Sequence, residues 1–275
     1  MIEFKEIKTK ISKFVDEELY PLEPWILNCS WDEKLPKLNE LRNKVKSQNL
    51  WLPQIPKEYG GLGLSNIQHG EISEILGSSP YGHYVFNCQA PDAGNMEILI
   101  EFGTPEQKAK YLKPLLNGNI RSCFAMTEPE FAGSNPVEMG TVAIKKGKNY
   151  LINGRKWFTS GFDGAEFLIV MLISNSDAEN PYKKASQIIV PIKTKGVEFI
   201  RNIQIMGHSG GGWESHSEIK FNNVQVPITN VLGSDGDGFS IAQSRLGPGR
   251  IHHCMRWIGI CERSFDLMCK RAVSR

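Results

Sequence analysis

The sequence predicts an α+β protein, and three observations carry that prediction. Apolar residues recur at helical spacing from the N-terminus to about residue 120, then at a spacing of two to about residue 231, then again at helical spacing to Arg275. A sheet flanked by helical segments implies a β-domain between two helical ones. The expected segments are 1–120 (N-terminal helical), 121–231 (middle β) and 232–275 (the start of a C-terminal helical bundle).

In the first segment, Ile7, Ile11, Phe14 and Val15 make an apolar stripe, and Leu38, Leu41 and Val45 make another. Trp51-Leu52-Pro53 then enters the glycine-rich stretch Glu58–Ser65. It lacks the Lys-Ser/Thr of a phosphate loop and follows no strand, so it reads as a link between helices. Ser65 caps the next helix. Thr104-Pro105-Glu106-Gln107 joins an N-cap, a first-turn proline and a capping-box glutamine, opening a helix that Gly118 can close. His69 and His83 lack metal-ligand spacing and read as satisfied structural histidines.

In the middle segment, Ser122–Thr127 is a strand that ends on Glu128-Pro129. Ala132–Asn135 is a small-residue turn with amides and a hydroxyl suited to an anion. Thr141–Ile144 and Tyr150–Ile152 flank the polar turn Lys145–Asn149, and Asn153-Gly154 is a second hairpin signal. That hairpin would deliver Trp157-Phe158-Thr159, two aromatic faces beside a hydroxyl, an arrangement suited to a planar hydrogen-bonding cofactor or to an ordinary sheet with a half-buried tryptophan. Glu166–Ile173, Gln187–Ile192, His216–Phe221 and Val224–Val226 add further strands.

In the last segment, Leu246-Gly247-Pro248-Gly249-Arg250 reads as a helix-breaking insert, the kind of local irregularity found at functional sites. Beyond it, Ile251, Cys254, Ile258, Cys261, Phe265, Met268 and Ala272 form an apolar seam that demands helical partners, with its cysteines as small core residues. The seam runs to Arg275 without a capping residue, so the chain is expected to be cut within a longer bundle.

With 275 residues, 40% hydrophobic and 23% charged, the composition is that of a globular protein. A net charge of +2 leaves no footprint for nucleic acid, and no apolar run approaches the roughly 20 residues of a membrane span. The six cysteines show no metal spacing and imply a reducing compartment. The N-terminus resembles no signal or transit peptide, so a cytoplasmic location is expected, with mitochondrial matrix or peroxisome open if the source is eukaryotic.

The run Phe-Ala-Met-Thr-Glu-Pro-x-x-Ala-Gly-Ser-Asn from Phe124, followed by Asn-Gly-Arg-Lys-Trp-Phe-Thr-Ser-Gly from Asn153, resembles the flavin-binding signature of the acyl-CoA dehydrogenase family. The likeness continues from Gly207 to Gly233 and through Gly238–Arg256, where it is closest to the family-member-11 branch. It implies an acyl-CoA dehydrogenase fold, FAD as cofactor, and α,β-dehydrogenation of medium- to long-chain fatty acyl-CoA to the trans-2-enoyl-CoA. It also implies transfer of electrons to an electron-transferring flavoprotein, and a homodimer or homotetramer in the full-length form. A truncated non-catalytic scaffold or partner subunit, and an acyl-CoA oxidase-like flavoenzyme, are the alternatives.

By the same resemblance, Phe124, Ala125, Met126 and Thr127 meet the pyrimidine end of the flavin, Thr159 lies near N5, and Trp157 and Phe158 flank the ring. The assignment takes Lys-Trp-Phe-Thr to match a family Lys-x-Trp-Ile-Thr with one residue fewer. Gly133 and Ser134 match the position shared by pyrophosphate and pantetheine, and Gly247, Pro248, Gly249 and Arg250 the acyl-CoA site. The catalytic glutamate of most members lies beyond residue 275; a minority carry it just before the arginine, where this chain has Gly249. Glu128 and Glu262 are not matched to it.

Overall fold

The structure, a computed structural model, describes residues 3–135 and 137–275. It separates into two compact units: residues up to Ala90 together with Leu246–Arg275, and Pro91–Arg245.

The first unit is helical. The helices Phe4–Phe14, Trp31–Ser47 and Asn66–Gly77 bury the predicted stripes, with Ile11, Leu38, Leu41 and Val45 inaccessible to solvent. Ser30 with Glu33 and Ser65 with Gln68 close reciprocal capping boxes, so each helix starts where a hydroxyl can take an otherwise orphaned backbone N–H. The glycine-rich Glu58–Ser65 stretch is a helix link, as its sequence implies.

The last helix, Gly238–Val273, corrects two expectations. It is continuous through Gly247–Arg250, with Pro248 inside it, so the predicted break is absent. The apolar seam also faces outward: Ile251, Ile258, Phe265 and Met268 are exposed, as are Cys254, Cys261 and Cys269, which are therefore not core thiols. The face turned into the first unit is instead polar and small, and it includes His252, Arg256, Gly259 and Arg263. Close approach of backbones decides this orientation. A Cβ on Gly77 would stand 2.7 Å from Arg256 Cα, and one on Gly259 would overlap the Glu74 carbonyl oxygen. Only a face with glycine at the crossing can come so near.

The second unit is built on one eight-stranded mixed sheet. Its strands are β1 (Ser122–Ala125), β2 (Val142–Lys146), β3 (Asn149–Ser160), β4 (Phe167–Ile173), β5 (Ala185–Pro191), β6 (Val197–Asn202), β7 (His216–Pro227) and β8 (Val231–Leu232). They run in the order β6-β7-β3-β2-β4-β5-β8, and β1 lies parallel to β4. Inward residues such as Ile152, Leu168, Val170, Ile188, Ile219 and Val224 form the core. The unit's helix Asp92–Phe102 packs beside β1, and Thr104 and Gln107 form the predicted capping box.

Two middle-segment expectations are corrected. Asn153-Gly154 is not a hairpin turn; the turn lies at Gly147-Lys148, and Asn153-Gly154 sits inside β3. There β7 bulges, with Asn222 and Asn223 opposite Asn153, and the Asn223 amide donates to Asn153 Oδ1 at 2.8 Å. Gly154 takes φ of +148°, and a Cβ on it would meet Thr141 Cβ at 2.7 Å, so the glycine serves a crowded bend rather than a turn. Second, His216–Phe221 and Val224–Val226 are one strand across that bulge.

Substitution at the two helix glycines separates contact from propensity. Gly259→Ala, forced against Glu74, is expected to lower unfolding free energy by about 1–3 kcal/mol in urea denaturation. Gly249→Ala meets nothing within 4 Å and is expected to raise it by about 0.5–1 kcal/mol.

Candidate functional site

Strand β1 is held from the helix Asp92–Phe102. Asp92 Oδ1 accepts from both the amide and the hydroxyl of Ser122 at 2.7 Å. Asn95 Nδ2 donates to Ser122 Oγ at 2.9 Å and to the Cys123 carbonyl at 3.2 Å. Arg245 donates from Nε to Asn95 Oδ1 at 3.3 Å, and its guanidinium lies 4.1 Å from the Phe124 ring centroid. Burial draws the Arg245 guanidinium down to about 10, against the pull of Glu97 and Asp92, so it stays cationic at neutral pH. Burial pushes the Glu97 carboxyl up to about 7 despite Arg245. One face of Phe124 is thus taken up by a cation–π contact.

Beyond β1, the segment Met126–Glu128 is fastened to β3 by a buried ion pair. Lys156, wholly buried, donates from Nζ to Glu128 Oε1 and to the Met126 carbonyl, each at 2.7 Å. Glu128 also accepts the amides of Gly140 at 2.6 Å and Thr141 at 2.9 Å. Burial works to raise the Glu128 carboxyl, but Lys156 and the hydrogen bonds outweigh it and hold the group below the usual carboxylate range. Burial draws Lys156 down to about 8 against the opposing pull of Glu128, which leaves it charged at neutral pH.

This clamp brings Thr127 to Trp157. The Trp157 amide donates to the Thr127 carbonyl at 3.1 Å, and the Thr127 hydroxyl donates to the Trp157 carbonyl at 3.0 Å. At the same point β3 bulges: Lys156 pairs with Ile219 and Thr159 with Ser217, so Trp157 and Phe158 together face one residue of β7. Phe158 absorbs the extra residue with φ of +47°, an uncommon conformation for a bulky side chain. Its ring projects to solvent, 5.0 Å from the half-buried Trp157 ring. Thr159 is fully buried, and its hydroxyl has no partner among the described residues.

The sequence-predicted residues therefore fall into groups. Thr127 and Trp157 are in direct contact, Thr159 follows them on β3, and a Cβ on Gly133 would stand 3.0 Å from Thr127 Cγ2. Phe124 and Ala125 lie in β1, and Met126 O is taken by Lys156. Ser134 is in an exposed turn beside Gly133. Gly247, Pro248, Gly249 and Arg250 belong to the helical unit, where Arg250 is exposed. Sequence reasoning missed Lys156, Asp92, Asn95 and Arg245. Lys156 carried a usable signal: it shares the inward parity of Tyr150 and Ile152, and a lysine at such a position requires a buried partner. Among the described residues no group of side chains could hold a metal ion, and no helix is long and apolar enough to cross a membrane.

Three family models match in order along the chain: the acyl-CoA dehydrogenase N-terminal domain over residues 2–119, the middle domain over 123–224 and the C-terminal domain over 236–275. A solved structure from Mycobacterium abscessus, assigned as an acyl-CoA dehydrogenase, superposes with a TM-score of 0.93 at 36% identity, covering 99% of this chain and 70% of that one. The chain belongs to the acyl-CoA dehydrogenase family. Acyl-CoA dehydrogenase family member 11 of Gallus gallus is 40% identical over 98% of this chain, which spans 36% of that relative's length. A glutaryl-CoA dehydrogenase of Mycobacterium smegmatis, solved with FADH2, shares the fold with a TM-score of 0.79 at 23% identity, covering 99% of this chain and 66% of that one.

The clamp is open to a double-mutant cycle. Lys156→Met should cost about 3–5 kcal/mol by leaving Glu128 charged and buried. Adding Glu128→Gln, which removes the unpaired charge and keeps an acceptor for one of the two amides of Gly140 and Thr141, should recover part of that loss in urea denaturation.

Proposed function

We propose that the chain carries the flavin-binding part of an FAD-dependent acyl-CoA dehydrogenase acting on medium- to long-chain acyl-CoA. The observation that carries the reading is the paired hydrogen bonding of Thr127 with Trp157 at the β3 bulge. Bound FAD would supply the two-electron acceptor for the β-hydride of the acyl group.

The residues present fit such a group. Trp157 offers a half-buried aromatic face, and the Thr127 hydroxyl oxygen keeps a free lone pair while its proton is held by Trp157. Thr159 Oγ1 is a buried hydroxyl without a protein partner among the described residues, of the kind that a ligand heteroatom can satisfy. Gly133 sits against Thr127 where a side chain would crowd the segment, and its bare amide beside the Ser134 hydroxyl suits a pyrophosphate or a pantetheine amide. Gly247, Pro248, Gly249 and Arg250 would hold the acyl-CoA. Reduced flavin would then be reoxidised by an electron-transferring flavoprotein, with the whole protein a homodimer or homotetramer.

Removing the α-proton requires a carboxylate base near the thioester. Glu128 cannot serve, because Lys156 and two amides already engage it. The alternative reading is a flavin-holding scaffold or partner subunit without turnover. Reduction of the bound flavin by an acyl-CoA distinguishes the two.

Purified protein is expected to retain flavin through gel filtration and to show its visible absorbance. Thr127→Val and Trp157→Ala should each weaken FAD about tenfold or more, the effect of one lost hydrogen bond or aromatic contact. Anaerobic bleaching by a long-chain acyl-CoA supports turnover, and an unchanged spectrum supports the second reading. Folded protein that takes up no flavin overturns both.

A further inference from the structure

The helical unit contains a cluster of buried polar groups that the flavin reading does not use. His69 and Ser73 stand one turn apart on the helix Asn66–Gly77, and His252 and Arg256 stand one turn apart on the last helix. The glycine crossing presses the two pairs together: the His69 and His252 ring centroids are 4.3 Å apart, and Gly77 lies against the Arg256 backbone. His83, from the one-turn helix Gly82–Val85, is close enough for Arg256, His69 and His252 to depress its basicity. The sequence suggests satisfied histidines, and the structure leaves one ring nitrogen of each without a protein partner among the described residues. His69 Nδ1, Ser73 Oγ, His83 Nε2, His252 Nδ1 and Arg256 Nε are all buried without a partner among the described residues. His69, Ser73 and His83 are at most 4% exposed.

Charge selects what would satisfy them. Burial, helped by His252 and Arg256, draws His69 down to about 3, and burial also keeps His83 well below its ordinary value, so both imidazoles are neutral at pH 7. Burial pushes the Cys88 thiol up to about 12, so it supplies no anion. Glu71 is paired with Lys8 at 2.7 Å, while Glu74 and Glu262 line a different groove with Arg263 and Lys270. Arg256, half-buried, thus has no hydrogen-bond partner at Nε and no salt bridge among the described residues. Ordered water could serve the imidazoles, but it would leave this charge without a counter-ion.

We propose that Arg256, His69, Ser73, His83 and His252 form an oxyanion-binding site that takes a carboxylate or phosphate group. Arg256 supplies the charge, and neutral imidazole N–H groups and the serine hydroxyl supply further donors.

The test titrates the 275-residue chain with inorganic phosphate and, separately, with acetate, the ionic strength being held by a bulky sulfonate. Imidazole proton–nitrogen correlation spectra are the readout. Saturable shifts of the His69, His83 and His252 signals by phosphate assign a phosphate-type ligand, and by acetate a carboxylate. Arg256→Gln should weaken the effective anion about tenfold or more. The proposal is overturned if neither anion moves these signals saturably, or if the affinity survives in Arg256→Gln. Should that variant fail to fold, the unmodified protein's titration alone decides, since a response confined to the remote His208 and His216 also overturns it.

Discussion

The second unit depends on one buried ion pair. Taking Lys156 and Glu128 out of water costs each several kcal/mol of solvation, and the pair is tolerated because almost every valence is used. Glu128 accepts from a lysine and two backbone amides, and Lys156 reaches a carbonyl as well as the carboxylate. An apolar pair could fill the same space but could not fix backbone positions. The charged pair ties Met126, Gly140 and Thr141 to β3, and that tie sets Thr127 against Trp157. The Asp92, Asn95 and Arg245 network does the same for the other end of this segment, holding Ser122–Phe124 from the helix side.

The helical unit solves a different problem. Its last helix carries large apolar residues on one side and histidine, arginine and glycine on another, and the second side is turned inward. Glycines at 77 and 259 allow main chain to touch main chain, and the helix crossing carries His252 against the His69 ring and Arg256 against the Gly77 backbone. The polar contents of the interface follow from the crossing point.

Much of this was legible in the sequence. Caps at Ser65 and Thr104, the stripes through Ile11 and Leu41, and the strands around Leu168 and Ile188 follow from local chemistry and periodicity, and they appear where expected. Motif likeness places Thr127 and Trp157 about one ring, but their direct hydrogen bonding is not legible, since nothing local brings together residues thirty positions apart. Errors arose where tertiary context outweighed local preference. Asn153-Gly154 has turn chemistry but faces a bulge. Gly247-Pro248-Gly249 has breaker chemistry but stays helical. The cysteines of the last helix have core chemistry but are exposed. The edge strand Val197–Asn202 was missed because its residues do not alternate cleanly.

The bulge at Trp157-Phe158 has an evolutionary corollary. Two residues there already face a single neighbour, and the ladder resumes in phase on either side. A chain that lost or gained one amino acid at this spot would change the size of the kink and leave the inward and outward order of the flanking strands intact. Lineages could therefore drift in length immediately beside the tryptophan without disturbing the sheet that supports it.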